Sequence, residues 1–367
     1  MNPIRIVISG GGTGGHIYPA IAIANALKVR HPDAEILFVG AEGKMEMEKV
    51  PQAGYRIVGL PVRGLQRGFD MRNFWLPWRF LQSLIEARSI IKKLKPQVAV
   101  GVGGYASGPL LYVAGLMGLP TLIQEQNSYA GLTNKWLAKR ARRICVAYPG
   151  MERFFPSNKT VLTGNPVRKD ILSVDQKRPE ALAHFNLRDG LPTLLVIGGS
   201  LGAGTLNRAM RTAVERLKDE PVQVIWQTGK TQYDECWRAV QTSGAENIRA
   251  MAFVSEMDLA YAAADVVVSR AGALSISELC LAGKPAILVP SPNVAEDHQT
   301  QNAQALVQEN AALIVRDGEA TEKLVETALN LLRNPEQRQY LAANIRRLGR
   351  PDAAERIADE VLALVRP

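Results

Sequence analysis

Five of the six residues from Gly10 to Gly15 are glycine, and the run closes on His16. It follows Ile4-Arg5-Ile6-Val7-Ile8-Ser9, a β-branched apolar stretch that reads as a buried strand, and from Pro19-Ala20-Ile21-Ala22 onward the pattern is helical. A strand, a glycine turn and a helix start leave backbone N–H groups beside open space, and anions bind at such places. Gly10, Gly12 and Gly15 also spell the dinucleotide fingerprint, which expects an acid where the second strand ends. That strand reads as Ile36-Leu37-Phe38-Val39 and ends in Gly40-Ala41, whereas Asp33 and Glu35 precede it, out of reach of a ribose. The fingerprint is incomplete. A nicotinamide nucleotide, another anionic ligand and a plain tight turn all stay open.

A second constellation lies at Ser269-Arg270-Ala271-Gly272-Ala273-Leu274-Ser275-Ile276-Ser277-Glu278, followed by Pro290-Ser291-Pro292-Asn293 and by Asp297-His298-Gln299-Thr300-Gln301-Asn302. A strand end, a small-residue turn and a helix start put backbone amides near Leu274 and Ser275, where they can hold a diphosphate without lysine or metal. Glu278, one turn on, is placed to accept hydrogen bonds from ribose hydroxyls. Ser275 and Glu278 also spell a capping box, which needs no ligand, and the two roles are compatible.

The elements that must position these groups alternate. Strand-like runs at 36–39, 98–100, 121–123, 144–147, 194–197, 222–226, 265–269 and 286–289 are separated by helical stretches, the pattern of parallel sheets wound on both faces. The pattern starts twice, because Thr193 to Gly204 repeats the strand, glycine loop, helix order of the N-terminus. Two Rossmann-like domains are expected, with a turn at Leu162-Thr163-Gly164-Asn165-Pro166 as the hinge: residues 1–164, joined by an amphipathic C-terminal helix at 352–367, and residues 165–351. A third glycine loop, Gly101 to Pro109, follows a first-domain strand. Ligands of open α/β sheets bind beyond the carboxyl ends of strands, so the loops at 10, 101 and 198 share the functional edge, and two such edges facing each other make a cleft.

Hydrophobic residues are 47% of the 367 and charged residues 22%, the balance of a soluble globular chain. Cys145, Cys236 and Cys280 are odd in number and far apart, which points to a reducing cytoplasm and to no structural metal. The most apolar stretch, Pro109 to Ile123, is broken by glycine and proline, so no bilayer-spanning segment is expected, and with strand and loop starting at once no signal peptide is expected either. The net charge of +9 is concentrated: residues 63–95 carry eight Lys or Arg against Asp70 and Glu86, and residues 135–143 carry five with no acid. A polyanion or an anionic membrane is the natural partner. Within the first segment, Arg72, Phe74, Trp75, Trp78 and Arg79 mix aromatics with cations as an interfacial segment does, although a core-facing helix with a solvated basic side gives the same pattern.

Taken together, Gly11 to His16, Gly103-Gly104-Tyr105, Glu125-Gln126-Asn127, Gly164-Asn165-Pro166-Val167-Arg168, Gly198-Gly199-Ser200, Gly272 to Ser275 with Glu278, and Gln299 with Asn302 resemble the MurG family of glycosyltransferases, in order over nearly the whole chain. The resemblance implies a GT-B architecture and an inverting, metal-independent and cofactor-free transfer of N-acetylglucosamine from UDP-N-acetylglucosamine to the undecaprenyl-linked acceptor lipid I, making lipid II for peptidoglycan, cell shape and division. It implies donor contacts at Thr13, Gly14, Gly15, Asn127, Arg168, Ser200, Val254, Ala273, Leu274, Ser275, Ile276, Ser277, Glu278 and Gln299, with Val254 a backbone partner of the uracil. It further implies acceptor contacts at Gly103, Gly104 and Tyr105, and work at the cytoplasmic face of the inner membrane as a peripheral protein, without nucleic acid.

Chemistry supplies the mechanism this implies. Charge develops on the departing diphosphate, where preorganised amides lower the barrier. A base must then take the acceptor hydroxyl's proton, and His16 and Glu125 are the candidates, each with a structural reading beside it: His16 as an organiser of loop backbone, Glu125 as a hydrogen-bonding partner. A GT-B diacylglycerol glycosyltransferase, a UDP-N-acetylglucosamine 2-epimerase and a non-catalytic dinucleotide-binding membrane scaffold remain as alternatives.

Overall fold

The computed structural model describes residues 3–62, 76–199, 201–294 and 297–365. The chain forms two compact units, one of Met1–Val167 with Asp352–Pro367, the other of Arg168–Pro351.

In the first unit the strands are β1 (Arg5–Ser9), β2 (Glu35–Ala41), β3 (Arg56–Leu60), β4 (Val98–Gly101), β5 (Thr121–Glu125), β6 (Arg143–Val146) and β7 (Thr160–Leu162), all parallel in the order β3-β2-β1-β4-β5-β6-β7. Helices covering both faces leave the central strands no wet side, so they are apolar throughout rather than alternating. Ile6 and Ile8 point to one face, with Ile17, Ile23 and Leu27 of the helix Gly14–Arg30; Val7 points to the other, with Leu110 and Leu111. The C-terminal helix Ala353–Val365 packs Ile357, Val361 and Leu362 into the first of these clusters. Each such side chain contributes roughly 1.5–3 kcal/mol on full burial. The helix after the glycine run begins at Gly14, five residues before the apolar pattern announces it, and carries Pro19 within its first turns.

The second unit repeats the plan with β8 (Thr193–Ile197), β9 (Gln223–Gln227), β10 (Ile248–Met251), β11 (Val266–Ser269), β12 (Ala286–Leu288) and β13 (Leu313–Ile314), in the order β10-β9-β8-β11-β12-β13. Register aligns the functional edges. Ser9 lies opposite both Val39 and Gly101, so the loops after β1, β2 and β4 emerge side by side, and Ile197 lies opposite Gln227 and Ser269 in the same way.

Candidate active site

In the first unit the glycine loop already holds an anion. Glu46, fully buried, bends back from the segment after β2, and its carboxylate accepts from Gly12 N at 3.1 Å and Ala41 N at 3.0 Å. A Cβ at Gly11 would overlap this carboxylate, so glycine is required there for the approach. The open anion site expected at Gly10–Gly15 is thus filled, at Gly12, from within the chain.

The loop after β4 closes on the same place. Gly103 and Gly104 both have positive φ, the Tyr105 ring lies against Gly12, and a Cβ on Gly104 would strike the Gly11 carbonyl. That packing requires glycine at 104 independently of any ligand. His16, half-buried, faces this turn with Nδ1 3.0 Å from the Val102 carbonyl oxygen and 3.1 Å from Gln126 Oε1. Both partners are acceptors, so Nδ1 carries the proton and, in the neutral ring, Nε2 carries the lone pair, as a base requires. His16, Gly103, Gly104 and Tyr105 are therefore brought together.

Glu125 is not part of that cluster. Successive residues of an extended segment face opposite ways, so Gln124 and Gln126 turn toward His16 while Glu125 turns away. Its buried carboxylate accepts from Asn127 N and Nδ2 (3.1 and 3.3 Å), Gly131 N (3.1 Å) and Asn134 Nδ2 (2.8 Å). With four donors on it, Glu125 organises the loop that presents Asn127, the hydrogen-bonding role expected for it beside that of a base.

In the second unit the helix Ala273–Ala282 starts where β11 ends, with Gly272 as its N-cap and no side-chain capping hydrogen bond; the Ser277 hydroxyl donates to the Ala273 carbonyl at 2.9 Å. Ser275 is the third helical residue, not the cap, so the capping box is not formed. The first-turn amides have no partner within the helix, and they point toward the dipole's positive end. Gly272 and Ser275 line a pocket of ≈ 500 Å³ with Gly198, Gly199, Gly202 and Gly204 of the glycine loop and with Arg208, Arg270, Ser291, Asn293 and Gln299. The Gln299 carboxamide oxygen accepts from Ser291 N at 2.9 Å, and Arg270 is held at 2.5 Å by Asp317, which Thr205 also donates to. Behind the loop, buried Asn207 accepts from Trp226 Nε1 at 3.0 Å and donates to the Thr228 carbonyl at 2.7 Å, pinning the helix that follows the glycines to the end of β9.

Glu278 sits one turn further. Arg168 Nε is 3.5 Å from its Oε1, and the Tyr261 hydroxyl donates to its Oε2 at 3.1 Å. Burial pushes the Glu278 carboxyl above its ordinary value against the pull of Arg168, and burial next to that carboxyl pushes the Tyr261 phenol well up. Val254 is buried with its N–H donated to Gln227 Oε1 at 3.1 Å. Ser200, Arg72, Phe74 and Trp75 lie outside the described residues.

Away from both loops, the helix Leu76–Leu94 buries Ser83, Ala87 and Ile91 and turns Trp78, Leu81 and Ile85 outward, Trp78 at 65% and Ile85 at 64% exposure, on the face that continues into Arg88 and Lys92. The helix therefore carries two apolar stripes: Leu84, Ala87 and Ile91 face the core, whereas Trp78, Leu81 and Ile85 face outward. It packs on the helix Ser107–Leu116, itself packed on Leu132–Ala138, where Tyr112 stacks on Trp136 at 4.6 Å beside Arg140, and Leu116, Met117 and Leu132 are exposed. Among the described residues no helix is long and apolar enough to cross a membrane.

The N-terminal domain of glycosyltransferase family 28 matches residues 6–146 and its C-terminal domain matches residues 193–357. The chain is 55% identical, over 100% of its own length and 99% of the relative's, to the UDP-N-acetylglucosamine–N-acetylmuramyl-(pentapeptide) pyrophosphoryl-undecaprenol N-acetylglucosamine transferase of Parabacteroides distasonis. It belongs to glycosyltransferase family 28. The protein of the same description from Flavobacterium psychrophilum is 49% identical over a similar span. Among solved structures, MurG of Acinetobacter baumannii superposes with a TM-score of 0.82 at 30% identity, covering 98% of this chain and all of that one, which makes the architecture GT-B. The UDP-GlcNAc 2-epimerase of Neisseria meningitidis shares the fold alone, at a TM-score of 0.69 and 14% identity over 98% of this chain and 100% of that one.

Glu46, Gln124, Tyr261 and Asp317 escaped the sequence reading. Glu46 had one weak signal: it is one of three acids, with Glu42 and Glu48, just past the second strand of a Gly-rich unit, near where a dinucleotide fold would carry its ribose acid.

Proposed function

We propose that the protein is the inverting transferase that moves N-acetylglucosamine from UDP-N-acetylglucosamine to the C4 hydroxyl of the N-acetylmuramoyl sugar of lipid I, giving lipid II. The observation that carries this reading is the 55% identity with the Parabacteroides distasonis transferase over the full length of both chains.

In this reading the second unit holds the donor. The uncapped start of Ala273–Ala282 receives the diphosphate through the amides of Ala273, Leu274 and Ser275, with Ile276, Ser277, Ser200 and Gln299 around it. Glu278 takes the ribose hydroxyls and Arg168 orients Glu278. The uracil edge meets Val254 through its carbonyl, since the N–H is engaged by Gln227. Thr13, Gly14, Gly15 and Asn127 of the first unit complete the donor contacts, and Gly103, Gly104 and Tyr105 take the pyrophosphate of the acceptor.

His16 is the base. Its Nε2 lone pair accepts the proton of the acceptor hydroxyl as that oxygen bonds to the anomeric carbon, and UDP leaves toward the helix start, where fixed amide dipoles meet the growing charge. The outward face of Trp78, Leu81 and Ile85, continuing into Arg88 and Lys92, supports a peripheral seat on an anionic membrane surface, with the aromatic at headgroup depth and the cations on phosphates.

Turnover of UDP-N-acetylglucosamine with a short-chain lipid I analogue tests the reading. Transfer is expected with chelator present, and His16→Ala should lower kcat by about 10²–10⁴ with the donor KM little changed. A requirement for added metal, or wild-type kcat in His16→Ala, would count against the mechanism. Trp78→Ser with Ile85→Ser should weaken sedimentation with anionic vesicles while leaving short-chain turnover intact.

A further inference from the structure

Behind His16 runs a chain of buried carboxamides whose direction is fixed at both ends by backbone carbonyls. Asn165 Nδ2 donates to the Gln126 carbonyl oxygen at 3.0 Å, and a carbonyl can only accept, so the Asn165 side-chain oxygen must face the other way. There it accepts from Gln124 Nε2 at 2.9 Å. Gln124 is thereby committed to offering its oxygen to Gln126 Nε2, which also donates to the Val102 carbonyl at 2.6 Å. The only atom Gln126 can then turn to His16 is Oε1, at 3.1 Å from Nδ1. Reversing any one amide would set two acceptors or two donors face to face in a buried site, at the cost of an unmade hydrogen bond.

We infer that Asn165, Gln124 and Gln126 form a one-way hydrogen-bond relay that holds His16 as the Nδ1–H tautomer, making Gln126 and Asn165 positioning residues for the transfer. All three carboxamides are buried, and neither Gln124 nor Asn165 reaches a reacting atom through the contacts described. The orientation of Gln126, which together with the Val102 carbonyl 3.0 Å from Nδ1 selects the proton-accepting nitrogen, is thus tied to Asn165, three side chains away at the turn that ends the first unit. The inference rests on His16 acting as the base for its catalytic meaning, although the tautomer itself does not.

The test exploits the presence of only four histidines, His16, His31, His184 and His298. Long-range ¹H–¹⁵N correlation spectra of the full-length, ¹⁵N-histidine-labelled protein, with His16 assigned by its loss in His16→Ala, should show neutral His16 protonated at Nδ1. Gln126→Leu and Asn165→Leu should move it toward the other tautomer and lower kcat about tenfold, with the donor KM within twofold of wild type. A wild-type His16 protonated at Nε2 overturns the inference without any variant being needed. So does a folded Gln126→Leu protein whose His16 spectrum and kcat are unchanged. If the tautomer responds as expected while His16→Ala keeps full kcat, the relay stands and the assignment of His16 as base falls.

Discussion

The two glycine loops grow from equivalent places, each after the central strand that opens its unit, yet they treat negative charge in opposite ways. In the first unit the loop is sealed by Glu46, whose carboxylate occupies Gly12 N, and by the Gly103–Tyr105 turn packed on top. In the second unit, among the described residues, no carboxylate accepts from a backbone amide of the loop; the nearby Asp317 is engaged by the Thr205 hydroxyl and Arg270. Gln227 instead donates to the Gly199 carbonyl at 2.8 Å, and a Cβ at Gly199 would meet nothing within 4 Å. One copy of the motif thus supplies its own anion and packs against the turn that faces His16, while the other lines an open pocket, where we propose that the donor's diphosphate binds. The same local grammar therefore specifies geometry, and the residue that comes back from the next strand decides whether the geometry is a binding site.

The most severe way to break this contrast is to give the second unit an anion of its own. Ser275→Asp places a carboxylate in the first turn of Ala273–Ala282, where the donor diphosphate should lie. UDP affinity measured by calorimetry should fall roughly a hundredfold, since like charges brought together cost several kcal/mol. Thermal stability should hold or rise, because an acid in the first turn favours the helix dipole by about 0.3–1 kcal/mol. Loss of stability in step with affinity would mean that the site is not an anion site.

The converse change takes the anion from the first unit. Glu46→Gln keeps one oxygen within reach of both Gly12 N (3.2 Å) and Ala41 N (3.0 Å) but removes the charge and sets an NH2 group against Gly12 N, where the second carboxylate oxygen accepted, and should destabilise that unit by about 1–3 kcal/mol. Thiols make the two units separately visible. Burial pushes Cys145 of the first unit and Cys280 of the second each up to about 12, so both are inert until their surroundings open. In Glu46→Gln, labelling of Cys145 should accelerate and that of Cys280 should not. Equal acceleration of both would show that Glu46 does not act locally.

Legibility in the sequence followed burial. Every central strand was readable as an apolar run, since parallel strands covered on both faces are hydrophobic at consecutive positions. The four strands that were not readable, Arg56–Leu60, Thr160–Leu162, Ile248–Met251 and Leu313–Ile314, are the four sheet edges, only partly covered, so no continuous apolar run marks them. The site divided along a similar line. His16 and the start of Ala273–Ala282 announced themselves because glycine spacing encodes backbone geometry. Glu46, Gln124 and Tyr261 did not, because each is far in sequence from the group it serves, and a polar residue in a loop or strand end gives no sign of which distant amide it will meet. Glu125 allowed two roles by its type, base or hydrogen-bonding partner, and the four donors around it are visible only in the fold.

The mildest test of the contrast is a pH dependence belonging to the second unit alone. Burial raises the Glu278 carboxyl, so the folded chain favours the protonated form: that stabilisation is complete below the unfolded pKa and is lost as pH climbs through the folded one. Donor binding runs the other way, because a ribose hydroxyl donates to the ionised carboxylate. UDP-N-acetylglucosamine affinity should therefore weaken on acidification in a window above the ordinary glutamate range, by at most about tenfold per pH unit. Glu278→Gln should bind more weakly at neutral pH, lose that slope, and unfold at a slightly higher temperature without ligand, because a neutral amide avoids the buried charge while Tyr261 can still donate to its oxygen. The Cys145 labelling rate should show no matching change between the variant and wild type. If the slope survives in Glu278→Gln, the titrating group is elsewhere, and the carboxylate is held by Arg168 and Tyr261 for the fold rather than for the ribose.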